Sequence, residues 1–406
     1  MIKRLLQNKE RFFLLLSQIV IAVIGLVTGK IIAIYFTPAD FGLFNLQFAV
    51  YTFFMTLLVS PFIQYMKTVS KTLLPKLGYQ FFLYLAILLM IVFYSALLIV
   101  FALNYGIDYY LFLILAIMIP SNLLFNLISD YFNIQNRLNL FSVSNLLKNL
   151  GGLLFLGVLF LINYKYSDGS SILWLVQVIG FLIGGLLFLP YYRFKFSNVY
   201  KVSFKRFFKK YSVYAWPLTI LAFWSWMNNY FDRFAIEYYL DVKEVGIYNA
   251  NYTVGSKFFI LLNPFFLTLL IPNVYNKNTI QVRKAAINKY AKLYTLASIP
   301  VLLTIYLLKD FVGKLLLSES YQSGFYLIFW IALAYFFLTL VYLYETIFYA
   351  ESKTKVILYS NIISAIFNVL LNVLLIPIYG LNGAFMATLI AFGIRFIVIQ
   401  YYYRKL

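Results

Sequence analysis

The chain has 406 residues, 63% of them hydrophobic and only 11% charged, with a net charge of +20 and a mean hydropathy of +0.86. Water-soluble domains carry roughly 25% charged residues, so a chain this poor in charge cannot cover a water-facing surface and a soluble globule is excluded. Cysteine and histidine are both absent, which removes disulfides, thiolate nucleophiles, zinc sites and imidazole acid–base chemistry. No catalytic residue, metal or cofactor is expected, the chain is not expected to be an enzyme, and any proton chemistry falls to carboxylates.

Apolar runs of membrane-spanning length recur from end to end, each able to cross a hydrocarbon core of about 30 Å as a helix. The predicted spans are residues 12–36, 43–66, 80–103, 110–133, 140–162, 171–190, 213–236, 248–271, 291–308, 325–350, 356–376 and 383–403. The first run is longer than the core of a signal peptide and lacks a small-residue cleavage site, so it reads as a retained span. The shorter alternating segments of a membrane β-barrel are absent. Short loops rich in Pro, Gly and Asn separate the spans, as in Thr37-Pro38-Ala39-Asp40 and Ser167-Asp168-Gly169.

With the N-terminus in the cytoplasm, the cytoplasmic segments hold 24 Lys and Arg, against 4 on the opposite side, where eight acids collect. That asymmetry orients the chain with both termini inside. It also assigns the net charge to topology and to anionic lipid headgroups rather than to nucleic acid. The longest basic segment divides the chain near its middle, giving an N-terminal six-helix bundle (1–192), a basic cytoplasmic linker (193–212) and a C-terminal six-helix bundle (213–406).

The two halves echo one another. Phe41-Gly42-Leu43-Phe44-Asn45 in span 2 recurs as Val245-Gly246-Ile247-Tyr248-Asn249 in span 8, and Ser144-Asn145-Leu146-Leu147 in span 5 as Ser360-Asn361-Ile362-Ile363 in span 11. With six spans per half the copies share one orientation. Such parallel repeats build transporters around a central site.

Eight charges fall inside the spans: Lys30, Asp130, Lys148, Asp232, Arg233, Lys257, Glu345 and Arg395. Each costs roughly 2.5–3.5 kcal/mol at the bilayer centre on insertion scales, so protein or water is expected around them. Asp130, Glu345 and Lys30 lie near span ends and could snorkel to the interface. Asp232 and Arg233 are neighbours in sequence, so each is expected to find its partner on another helix. Polar residues recur beside these charges: Asn122 and Asn126 with Asp130 on span 4, Asn145 with Lys148 on span 5, and Asn361, Ser364, Asn368 and Asn372 on span 11. Asn and Ser can simply bind helix to helix, but stripes on several helices suggest the walls of one hydrated cavity. Cations outnumber acids there, so Lys30, Lys148, Arg233, Lys257 and Arg395 are candidate ligands for a phosphate or diphosphate. Asp130, Asp232 and Glu345 are candidates for ion coupling.

Three stretches carry a resemblance: Phe36-Thr37-Pro38-Ala39-Asp40-Phe41-Gly42-Leu43-Phe44; Asp232-Arg233 followed by Val245-Gly246-Ile247-Tyr248; and Asn368-Val369-Leu370-Leu371-Asn372 with Ile376-Pro377 and Gly380-Leu381-Asn382-Gly383-Ala384. Together they resemble the polysaccharide-exporter family (O-antigen and oligosaccharide-lipid flippases, Wzx-type) of the multidrug, oligosaccharidyl-lipid and polysaccharide (MOP) exporter superfamily. The resemblance implies an all-α protein of about twelve transmembrane helices in the bacterial inner membrane. Its cargo would be undecaprenyl-diphosphate-linked oligosaccharide, moved from the cytoplasmic to the outer leaflet by alternating access for O-antigen, lipopolysaccharide or capsule assembly. A polysaccharide polymerase and a chain-length regulator are the expected membrane partners. Lys30 stands where the family often carries Arg, which keeps the charge and loses the bidentate fork. The alternatives are a multidrug/cation antiporter of the same superfamily, which calls for an acidic cavity, and a membrane glycan polymerase or glycosyltransferase, which calls for a large extramembrane loop. No P-loop motif is present, so ATP is not the direct driver.

Overall fold

The structure is a computed structural model that describes residues 9–69, 74–164, 168–188, 204–276 and 279–406. The described chain is helical throughout, in twelve helices. They are α1 (Lys9–Tyr35), α2 (Pro38–Phe54, continuing through a π-helical turn Met55–Val59 into Ser60–Val69), α3 (Leu74–Tyr105), α4 (Tyr109–Ile134), α5 (Leu138–Leu161), α6 (Gly169–Leu186), α7 (Phe204–Tyr239), α8 (Val242–Tyr275), α9 (Ile280–Leu316), α10 (Phe325–Ala350), α11 (Thr354–Tyr379) and α12 (Leu381–Lys405). Each predicted span falls on one of them. The helices of spans 7, 8 and 9 run beyond the apolar stretch into the polar flanks, because an aqueous end of a helix keeps its backbone bonds while its side chains turn polar.

Eleven of these helices are long and apolar enough to cross a membrane. The exception among the twelve expected is α7, where Ser225, Asn228, Asn229, Asp232 and Arg233 lower the hydropathy. Large side chains such as Leu103, Tyr109 and Ile378 are exposed on the outer faces of the helices. Lipid-facing surface of a membrane protein has this apolar character, and the backbone satisfies itself within each helix.

Several helix starts are fixed by carboxylates. Asp108 accepts from the Tyr110 and Leu111 amides at the head of α4, Asp168 from those of Ser170 and Ser171 at α6, and Asp241 from Glu244 at α8. At α2, Thr37 and Asp40 form a reciprocal capping box around Pro38. These are the starts of four even-numbered helices, so in an alternating topology all four carboxylates lie on one side. Half of the eight acids that the sequence collects opposite the lysines thus cap helix starts, where amide donors and the positive dipole end attract them.

The chain divides into two compact units, residues 1–35 with 47–223 and residues 36–46 with 224–406. The division falls inside α2 and α7. The basic linker expected at 193–212 lies largely outside the described residues, and from Phe204 its end is already α7. In the first unit, α5 packs closely on α6 and α1, with α4 against α6. A polar core joins them: Trp174 donates to Gln47 and stacks edge-on against Tyr51, while Asn122 donates to the Tyr51 hydroxyl. In the second unit, α10 packs against α8, α9 and α12, and α11 pairs with α12.

Candidate functional site

The eight intramembrane charges divide into paired and unpaired groups. On α7, Arg233 donates to Asp232 at 2.9 Å, and the Tyr248 hydroxyl on α8 donates to the other carboxylate oxygen at 2.8 Å. The guanidinium lies over the rings of Tyr230 and Tyr252. Asp232 and Arg233 thus find the expected partners on another helix in the α8 tyrosines, but their ion pair is with each other. The arginine side chain is long enough to fold back beside its neighbour, where it also donates to the Asn229 carbonyl. Both residues are buried, at 3% and 7% exposure.

Arg395 on α12 donates to Glu345 on α10 at 2.9 Å and reaches toward Asn361 on α11. Asn361 in turn donates to Ser225, and Asn228 to Ser364. Glu345 is 2% exposed, so it does not snorkel. Asp130 on α4 pairs with Lys67 on α2 at 2.8 Å, with both side chains 29% exposed.

The expected cavity stripes are mostly sealed. Asn361, Ser364, Asn368 and Asn372 are each 2% exposed or less, and Ser364 donates to a carbonyl of α12. Asn372 donates to Asn368 one turn before it. Asn122 and Asn126 bond to each other and onward to Tyr51. Asn145 reaches Ser129 on α4. Asn122, Asn145, Asn228 and Asn361 thus bind helix to helix, as an amide in a span lacking water does, whereas Asn368 and Asn372 bond each other along α11.

Lys148 and Lys257 differ from the rest. Among the described residues, neither has a carboxylate within ion-pair distance. Both are half-buried near the middle of a span, Lys148 on α5 of the first unit and Lys257 on α8 of the second. Lys257 shares a helix face with Thr253 and Leu261, which are exposed. The Lys148 ammonium sits 4.5 Å from the centroid of the Phe181 ring and 5.4 Å from that of Phe125. Lys30, the remaining candidate, is half-buried on α1. Sequence reasoning passed over Phe125, Phe181, Tyr248, Tyr252 and Lys67. The one local signal for the phenylalanines is Gly180 and Gly184, a small-x-x-x-small step that marks a close helix crossing.

A family model described as "Polysaccharide biosynthesis protein" matches residues 8–276, about two thirds of the chain. Among solved structures, the chain is similar to the lipid II flippase MurJ in an inward closed conformation, with a TM-score of 0.70 at 16% identity, over 97% of this chain and 87% of that one. It is also similar to the inward-facing conformation of a multidrug resistance MATE family transporter of the MOP superfamily (TM-score 0.66, 12% identity, 95% and 94% covered). A MOP superfamily transporter from Pyrococcus furiosus, titled for the reverse polarity of its binding pocket, aligns with a TM-score of 0.58 at 11% identity, over 97% and 93%. The search of curated protein sequences gave no match. The chain is thus a multi-pass membrane protein with the MOP transporter fold, and it belongs to the polysaccharide biosynthesis protein family.

Proposed function

We propose that this protein is a flippase that carries undecaprenyl-diphosphate-linked oligosaccharide from the cytoplasmic to the outer leaflet of the bacterial inner membrane by alternating access, for O-antigen or capsule assembly. One observation carries the reading: of the charges inside the spans, the three acids all hold basic partners, whereas Lys148 and Lys257 hold none among the described residues. The uncompensated charge is positive and is supplied once by each unit. An ammonium with no carboxylate to cancel it is the complement of a phosphate or diphosphate in a setting that water screens weakly. Membership of the polysaccharide biosynthesis family supports a polysaccharide precursor as cargo, and the likeness to the lipid II flippase MurJ supports movement of a lipid-linked one.

Arg233 and Arg395 then serve the scaffold rather than the cargo, since each is neutralised by its own carboxylate. The rival multidrug antiporter needs free carboxylates for cationic drugs, and Asp130, Asp232 and Glu345 are all engaged. The test is surface glycan in cells carrying only the variant protein. Lys148→Ala with Lys257→Ala should abolish it and leave lipid-linked oligosaccharide on the cytoplasmic leaflet, at normal protein level in the membrane. Lys257→Arg should keep part of the activity, because charge persists while geometry changes. Normal export by the double alanine variant would defeat the diphosphate mechanism.

A further inference from the structure

Among the described residues, three of the first unit's four carboxylates are committed away from Lys148, since Asp108 and Asp168 cap α4 and α6 and Asp130 holds Lys67, while Glu10 stands exposed in the first turn of α1. The ammonium nevertheless has a defined seat. Phe125 of α4 and Phe181 of α6 are 3% and 7% exposed and meet edge to face, with centroids 5.5 Å apart. Phe125 is braced in turn by Phe188. The seat exists because α5 lies close against α6. A Cβ on Gly180 would stand 2.7 Å from the Lys148 carbonyl oxygen, and one on Gly184 2.8 Å from both the Lys148 Cβ and the Phe125 ring. Any larger residue at 184 would push the lysine off the rings.

We propose that Phe181, with Phe125, is a positioning residue that holds Lys148 as an uncancelled cation for the diphosphate. This rests on the reading of Lys148 as a cargo ligand. The chemistry distinguishes the seat from an ion pair. A carboxylate would fix the ammonium but cancel its charge, as Glu345 does for Arg395. The negative faces of two rings attract the ammonium while leaving its full charge for an incoming anion. They also restrict a side chain whose long stem would otherwise cost rotamer entropy on binding.

The test uses purified full-length protein in detergent micelles and farnesyl diphosphate as the probe, with affinity read by calorimetry. Phe181 is replaced by mono-, di- and trifluorinated phenylalanine, which keep the ring's shape while draining negative charge from its face. Affinity is expected to fall stepwise, about tenfold from no fluorine to three. In a Lys148→Ala background the same series should be flat, since the coupling runs through the ammonium. A flat series in the parent, or an equal slope in both backgrounds, overturns the positioning role while leaving the flippase reading intact. If Lys148→Ala alone leaves affinity unchanged, the placement of the diphosphate at Lys148 fails, and the positioning role fails with it.

Discussion

Arg395 and Lys148 are both cations inside membrane helices, yet their surroundings assign them different work. Arg395 has Glu345 at 2.9 Å and Asn361 within reach, in a place only 7% exposed. Removing one member of such a pair strands the other without water, at a cost of about 3–5 kcal/mol, whereas replacing both with apolar groups of similar volume is often neutral. Glu345→Gln should therefore lower the thermal unfolding midpoint in detergent markedly, and Glu345→Leu with Arg395→Met should recover most of it. Export should survive in that double variant, because the pair brings no net charge to the cargo. A folded double variant that no longer exports would return Arg395 to the list of cargo ligands. The identity of the charged residues was legible in the sequence, since a charge within an apolar run stands out at once. Their partners were not. Pairing depends on which helices touch and on how far a side chain reaches, and a neighbour-in-sequence pair such as Asp232 and Arg233 defies helix periodicity because arginine can fold back along its own helix.

At the scale of helices, the internal repeat acquires a physical meaning. The repeated words around Gly42 and Gly246 lie on helix starts that cross backbone to backbone within the second unit. A Cβ on Gly42 would collide with the Val242 carbonyl, and one on Gly246 with the Pro38 carbonyl. Glycine stands at both positions because nothing else lets the two backbones meet. Gly246→Val should cost about 1–3 kcal/mol through overpacking. The Gly42→Val, Gly246→Val double variant should cost less than the sum of the single changes, because either one already parts the same crossing. Additive losses in thermal unfolding would show that the two glycines act separately. Helix number and approximate boundaries followed from the apolar period, and turns such as Thr37-Pro38-Ala39-Asp40 announced their caps. The π-helical turn at Met55–Val59 did not. It depends on an i→i+5 hydrogen bond that no local residue pattern in Met-Thr-Leu-Leu-Val demands.

For the molecule as a whole, the distribution of charge decides how the chain sits in the membrane. The 24-to-4 split of Lys and Arg favours a cytoplasmic N-terminus. The capping carboxylates fit that orientation. Asp40, Asp108, Asp168 and Asp241 belong to the heads of α2, α4, α6 and α8, where each satisfies amide donors that the helix leaves open. If α1 starts inside, all four heads are outside, opposite the lysines. Reporter fusions after Asn136, Asn276 and Ser352 should therefore report cytoplasm, and fusions after Gly106, Asp168, Ser318 and Gly380 the outside. The Ser318 and Gly380 fusions weigh most, because they lie beyond α7, whose polar stripe makes it the least hydrophobic span. If α7 fails to cross, every site after it inverts, and Ser318 and Gly380 would report cytoplasm while Gly106 and Asp168 still report outside. Five crossings rather than six would then separate α2 from its repeat copy α8, and the two repeats would run in opposite directions. A fusion series that alternates without inversion through Gly380 establishes eleven crossings, α7 among them, and it places Lys148 and Lys257 on helices whose repeat copies run the same way.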